Sequence, residues 1–186
     1  MKGELPISKP ITPSLSQTGG PLPTIIGVAA ITFALDQATK FLVVKNIPLW
    51  GSWSLYPALD RLFKLTFITN TGAAFGMFPQ MGTLFMGIAF IVITGIIAFH
   101  HQLPTENIWI RISLGLQLGG AMGNLLDRFV RGYVVDFVDV GFWPIFNIAD
   151  IAIVLGVTIL AYHLWNVDDH PDSTSPDSSL SKGNSL

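Results

Sequence analysis

Asp136, in the stretch V-V-D-F, and Asp150, in F-N-I-A-D, are carboxylates set among apolar residues, where such a group is costly unless it is paired or used. Two carboxylates brought together tend to share one proton, so that one takes a proton from water while the other gives one to a leaving group. That pairing is the equipment of an aspartic protease. Other polar residues recur at helical spacing. Gln117, Asn124, Asp127, Arg128 and Arg131 fall on one helix face, and Asn147 and Asp150 fall on another, which predicts a polar seam between two helices. Asp36 and Lys40 are four residues apart, as are Asp127 and Arg131, so each pair also reads as an internal ion pair with no chemical role.

The elements that must position these residues are apolar. The 186 residues are 50% hydrophobic and only 12% charged, with a mean hydropathy of +0.55, too few charges to clothe a soluble globule. A net charge of -2 and a pI near 6.0 leave no basic footprint for a nucleic acid. Four apolar stretches, 25–44, 82–99, 108–126 and 145–165, are each close to the ~20 residues that cross a bilayer as helix. This predicts an all-α membrane protein of four transmembrane helices, organised as a tail at 1–24, a membrane domain at 25–166 and an acidic tail at 167–186. Both tails are rich in Pro and Ser and lack the apolar content to fold. Between the first two spans, Phe63, Leu65 and Phe67 alternate with Lys64 and Thr66, the two-residue period of a strand over 61–70, and Trp50, Trp53 and Tyr56 suit the membrane interface. A small sheet on the membrane surface is expected there. Gly115, Gly119 and Gly123 in the third span, and Ala30, Ala34 and Ala38 in the first, line small residues along one face and predict close packing of these two helices.

Four spans put both tails on one side of the membrane together with the loop at 100–107. The opposite side then receives Asp36, Lys40, Asn70, Asn124, Asp127, Arg128, Asp136, Asp139, Asn147 and Asp150. Ionisable groups inside spans are functional or paired by default, so a convergence from three helices argues for a site. His100, His101, His163 and His170 all lie on the tail side, which leaves no histidine for Ser52 or Ser54. The chain has no cysteine, so it has no thiolate nucleophile and no Cys-ligated zinc. A second class remains open: a small proton- or ion-coupled transporter subunit, which calls for acidic groups spread through the membrane depth.

Five stretches together resemble the lipoprotein signal peptidases, also called signal peptidase II. They are D-Q-A-T-K from Asp36, N-T-G-A-A-F-G from Asn70, G-G-A-M-G-N-L-L-D-R from Gly119, V-V-D-F from Val134 and F-N-I-A-D from Phe146. They stand in the family's order. The resemblance implies four spans with a small extracytoplasmic sheet, Asp136 and Asp150 as the catalytic pair, and Asn70, Asn124, Arg128 and Asn147 lining the substrate cleft. Asp36, Lys40 and Asp127 then serve as architecture near the site, with neither cofactor nor metal, and Asp139 lies outside the motifs as a solvated residue. The implied substrates are lipid-modified prolipoproteins, cut before a diacylglyceryl cysteine by a monomer in contact with membrane lipids. The implied location is the cell membrane, with both termini cytoplasmic and the site at the extracytoplasmic face. Counting Lys and Arg gives four on the tail side and six on the site side, which by the positive-inside rule favours the reverse orientation.

Overall fold

The computed structural model describes residues 21–54, 56, 58, 60–72 and 82–165, so both predicted tails lie outside the described residues except for the last four of the first. Those four belong to helix α1, Pro21–Asn46, because proline is tolerated in a first turn whose N–H groups have no partner in the helix. Helices α2 (Gly82–Phe99), α3 (Ile108–Arg131) and α4 (Ile148–Trp165) occupy the other three apolar stretches. By length and composition, Leu22–Asn46 and Ile148–Trp165 are long and apolar enough to cross a membrane. Helix α3 packs against the other three. Its ends are set locally: the Asn107 side chain accepts the Trp109 N–H at 2.9 Å, and Gly132, at φ 79°, closes the last turn through its N–H to the Arg128 carbonyl.

Close packing between α1 and α3 is present, on a different face of α1 from the one the alanines suggested. Ala30 and Ala34 are exposed. The buried face is Ile25, Ala29, Thr32, Asp36, Lys40 and Val43, a run of three- and four-residue steps along one side of the helix, continued by Ile47 just past its end. The glycines of α3 meet this face: a Cβ on Gly119 would stand 2.5 Å from the Ala29 carbonyl oxygen, and one on Gly123 would collide with the Asp36 carboxylate. Small size was the right signal in α3. In α1 the contact is made by whichever residues the glycines admit.

The expected sheet has three antiparallel strands: β1 (Ser52–Trp53), β2 (Lys64–Asn70) and β3 (Val134–Asp139), in the order β1-β2-β3. The third strand contains the V-V-D-F stretch, outside the segment between the first two spans where the sheet is expected. Val134 through Val138 are all buried, so β3 shows no alternation for a sequence reader to find. It packs with Phe67 against Val43 of α1 and Ile47 just after it, while a second apolar cluster of Ile25, Ala29, Ile110, Leu114 and Leu118 fills the far end of the bundle. Between the two lies a layer of buried polar side chains. The outward faces of the helices are apolar, with Ile31, Phe41, Ile91, Phe129 and Val154 each at least 60% exposed, a surface suited to lipid.

Candidate active site

The polar layer is one connected network. At its centre stands Asn147, fully buried immediately before α4. Its side-chain amide donates to Asp136 Oδ1 at 2.6 Å and to Asn124 Oδ1 at 3.1 Å, and its own oxygen accepts the Asp150 N–H at 3.0 Å. The Asn147 N–H in turn donates to Asp150 Oδ2 at 3.3 Å. This reciprocal pair is a capping box, and it places Asp150 in the first turn of α4, where the helix dipole favours a carboxylate. Although the apolar stretch begins at 145, the helix starts at Ile148. Asn124 Nδ2 reaches Asp150 Oδ1 at 2.8 Å. Beside Asp150 opens an apolar cavity of about 340 Å³, walled by Trp143, Phe146, Ile151, Val154 and Leu155.

Asn70 reaches Asp136 because of an irregularity in the sheet. Lys64 pairs with Asp139 and Leu65 with Val138, but Ile68 pairs with Asp136 and Asn70 with Val134, so β2 holds one extra residue between Leu65 and Ile68. A one-residue bulge exchanges the two faces of the strand beyond it. Without it Asp136 would lie opposite Phe67, and Asn70 would fall on the other face. With it Asn70 Nδ2 donates to Asp136 Oδ2 at 2.8 Å, while Asn70 Oδ1 accepts the Gly72 N–H at 2.9 Å.

Lys40, fully buried, is the layer's cation. It meets Asp36 Oδ2 at 2.8 Å, Asp127 Oδ2 at 2.9 Å and Asn124 Oδ1 at 3.0 Å. Arg128 is half-buried on α3, donates to the Asn124 carbonyl at 3.3 Å, and lies within electrostatic range of Asp150, Asp136 and Asp127. Burial, and then the negative charge of Asp150, push the Asp136 carboxyl up to about 7, against the hydrogen bonds from Asn70 and Asn147 and the charge of Lys40. A carboxyl titrating there can hold or release a proton near neutral pH, as acid–base hydrolysis requires.

The sequence matches the family model described as Signal peptidase (SPase) II over residues 28–166. The chain belongs to the signal peptidase II family. It is 46% identical over 140 residues to a lipoprotein signal peptidase of Caldanaerobacter subterraneus subsp. tengcongensis, covering 74% of this chain and 92% of that one. It is 43% identical over 137 residues to a lipoprotein signal peptidase of Moorella thermoacetica, covering 74% and 89%. A solved bacterial membrane enzyme superposes with a TM-score of 0.75 at 28% identity, over 84% of this chain and 96% of its own. Family membership makes the chain a membrane peptidase and sets the transporter alternative aside.

All nine residues that the sequence singled out for a signal peptidase II site fall in this network: Asp36, Lys40, Asn70, Asn124, Asp127, Arg128, Asp136, Asn147 and Asp150. They come together from α1, β2, α3, β3 and the start of α4. Asp139 is not solvated as expected. It accepts from Thr66 Oγ1 at 3.0 Å and from the Gly141 N–H at 2.9 Å, with Lys64 at 3.5 Å, at the end of β3. Gln37 was passed over; it donates to Asp36 Oδ2 at 3.0 Å and to the Gly123 carbonyl at 3.3 Å. Its place inside D-Q-A-T-K was the available signal.

Proposed function

We propose that this chain is an intramembrane aspartic endopeptidase that removes signal peptides from prolipoproteins by hydrolysing the bond before a diacylglyceryl-modified cysteine. The observation that carries this reading is the pair Asp136 and Asp150, drawn from β3 and α4 and both held by Asn147. In the proposed reaction the ionised member of the pair takes a proton from water, and the hydroxide so formed attacks the scissile carbonyl. The protonated member then delivers its proton to the departing amine of the cysteine, and the proton taken from water restores the pair. Asn70 and Asn124 hold the outer oxygens of the two carboxylates in place.

The apolar cavity whose wall includes Asp150 supports a substrate with a lipid or apolar chain beside the scissile bond, since such pockets bind by removing apolar surface from water. In this reading all four helices cross the cell membrane, both termini are cytoplasmic, and the sheet and dyad stand at the extracytoplasmic face. The partners are lipid-modified precursors and membrane lipids, and the working unit is a monomer. Incubating the purified protein with a precursor peptide carrying the diacylglyceryl cysteine, and with the same peptide unmodified, tests the assignment. Cleavage confined to the modified peptide is expected; equal cleavage of both, or of neither, would refute it.

A further inference from the structure

Lys40 is buried, charged and outside the hydrolytic step described above, yet its surroundings lead to both carboxylates. Its ammonium has three N–H groups and no acceptor, and three acceptors surround it: Asp36 Oδ2, Asp127 Oδ2 and Asn124 Oδ1, at 2.8, 2.9 and 3.0 Å. We propose that Lys40 is a positioning residue for the dyad, fixing the direction of the asparagine hydrogen bonds and bracing the backbone before each catalytic aspartate; this rests on Asp136 and Asp150 being the catalytic pair.

Two lines of contact carry the proposal. The first is polarity. A donor-only ammonium forces the Asn124 amide to turn its oxygen toward α1, which leaves its nitrogen facing Asp150 Oδ1 at 2.8 Å. The reversed amide would set NH₂ against ammonium and oxygen against carboxylate, exchanging two hydrogen bonds for two repulsions. Because Asn124 Oδ1 also receives Asn147 Nδ2, the second proton of that nitrogen goes to Asp136 and the Asn147 oxygen is left for the Asp150 N–H. One cation thus orders the donors on both carboxylates. The second line is the backbone. Asp36 Oδ1 accepts the N–H of Ala149, the residue before Asp150, at 3.0 Å. Asp127 Oδ2 accepts the N–H of Val135, the residue before Asp136, at 3.2 Å. The two counter-ions of Lys40 therefore hold the chain at matching points beside the two aspartates, and Lys40 holds the counter-ions together.

The test is a kinetic cycle on the purified protein with the lipid-modified peptide, with Asp150→Asn as reference. Lys40→Met should lower kcat by roughly 10²-fold, as expected when catalytic groups lose alignment, with KM essentially unchanged. Asn124→Ala should lower kcat as well, and the double variant should be no slower than Lys40→Met alone, since Lys40 acts on Asn124. If Lys40→Met does not fold, Lys40→Met/Asp127→Asn removes one charge of each sign and replaces it in the cycle. Losses that multiply, a loss carried by KM, normal turnover in a folded Lys40 variant, or failure of both variants to fold would each overturn the proposal and leave Lys40 a structural ion. Should Asp150→Asn itself keep its turnover, the dyad assignment fails instead, and the two failures are told apart.

Discussion

Asn147 and Asp150 cap each other: the Asp150 N–H lies 3.0 Å from Asn147 Oδ1, and the Asn147 N–H lies 3.3 Å from Asp150 Oδ2. The helix start and the orientation of the Asp150 carboxylate are thus one structure. Asn147 also donates to Asp136, so its structural and positioning roles separate by substitution. Asn147→Ala should lose both the cap, which typically contributes ~1 kcal/mol, and most of the activity. Asn147→Ser restores a cap oxygen without a donor that reaches Asp136. Its melting temperature should recover toward the wild type while its kcat stays low, and recovery of both together would show that capping alone matters.

The Asp136 carboxyl, raised to about 7, predicts how the protein responds to pH. A carboxyl whose folded pKa lies above its unfolded value of ~3.9 stabilises the fold most below the lower value and loses that contribution as pH rises through the higher one. Between about pH 4 and about pH 7 the wild type should therefore lose melting temperature relative to Asp136→Asn. Equal pH dependence of the two would contradict the shift. Activity should fall on the alkaline side as the pair loses its shared proton, with apparent constants that belong to the pair. Asn70 stabilises the ionised form of Asp136, so Asn70→Ala should move the alkaline limb upward. A downward move would place the Asn70 amide elsewhere.

Asp139 is three residues from Asp136 and also acidic, and its bonds to Thr66, Gly141 and Lys64 serve the sheet. Asp139→Asn should keep near-normal turnover and lose at most ~1 kcal/mol of stability, the range for a half-exposed pair. A loss of activity comparable to that of Asp136→Asn would mean that Asp139 takes part in catalysis.

The helices and the glycine face of α3 were legible in the sequence because they depend on composition and short spacing, whereas the candidate site residues were marked by the resemblance of five motifs to a family. Apolar runs of membrane length announce helices whatever their partners, and Asp150 and Asn147 stand close in sequence. What escaped depends on contacts between distant segments. The strand at Val134–Asp139 is covered on both faces, so the alternation that marks β2 is missing from it. The bulge that turns Asn70 toward Asp136 exists only in the pairing of two segments more than sixty residues apart, and no residue type in β2 marks it. The packing face of α1 was misread because alanine spacing is a property of one helix, whereas the contact is set by Gly115, Gly119 and Gly123 of the other. Asp139 was placed in solvent because its partners Thr66 and Lys64 lie on a different strand.

Orientation is open to a direct probe, since the chain has no cysteine. Single cysteines replacing Ser54, beside β1, and Glu106, in the loop before α3, should react with an impermeant thiol reagent from opposite sides of intact cells. Labelling of position 54 from outside is expected. Labelling of position 106 from outside would reverse the topology and agree with the count of basic residues.

The central claim is that Asp136 and Asp150 act as one unit, and the double substitution measures this most directly. Asp136→Asn and Asp150→Asn should each nearly abolish cleavage of the lipid-modified peptide, and the double variant should lose little more than either, because groups that act together are not additive. A chelator should leave the wild-type rate unchanged. Near-normal turnover in folded Asp150→Asn, losses that multiply in the double variant, or activity removed by chelator and restored by zinc would contradict the account.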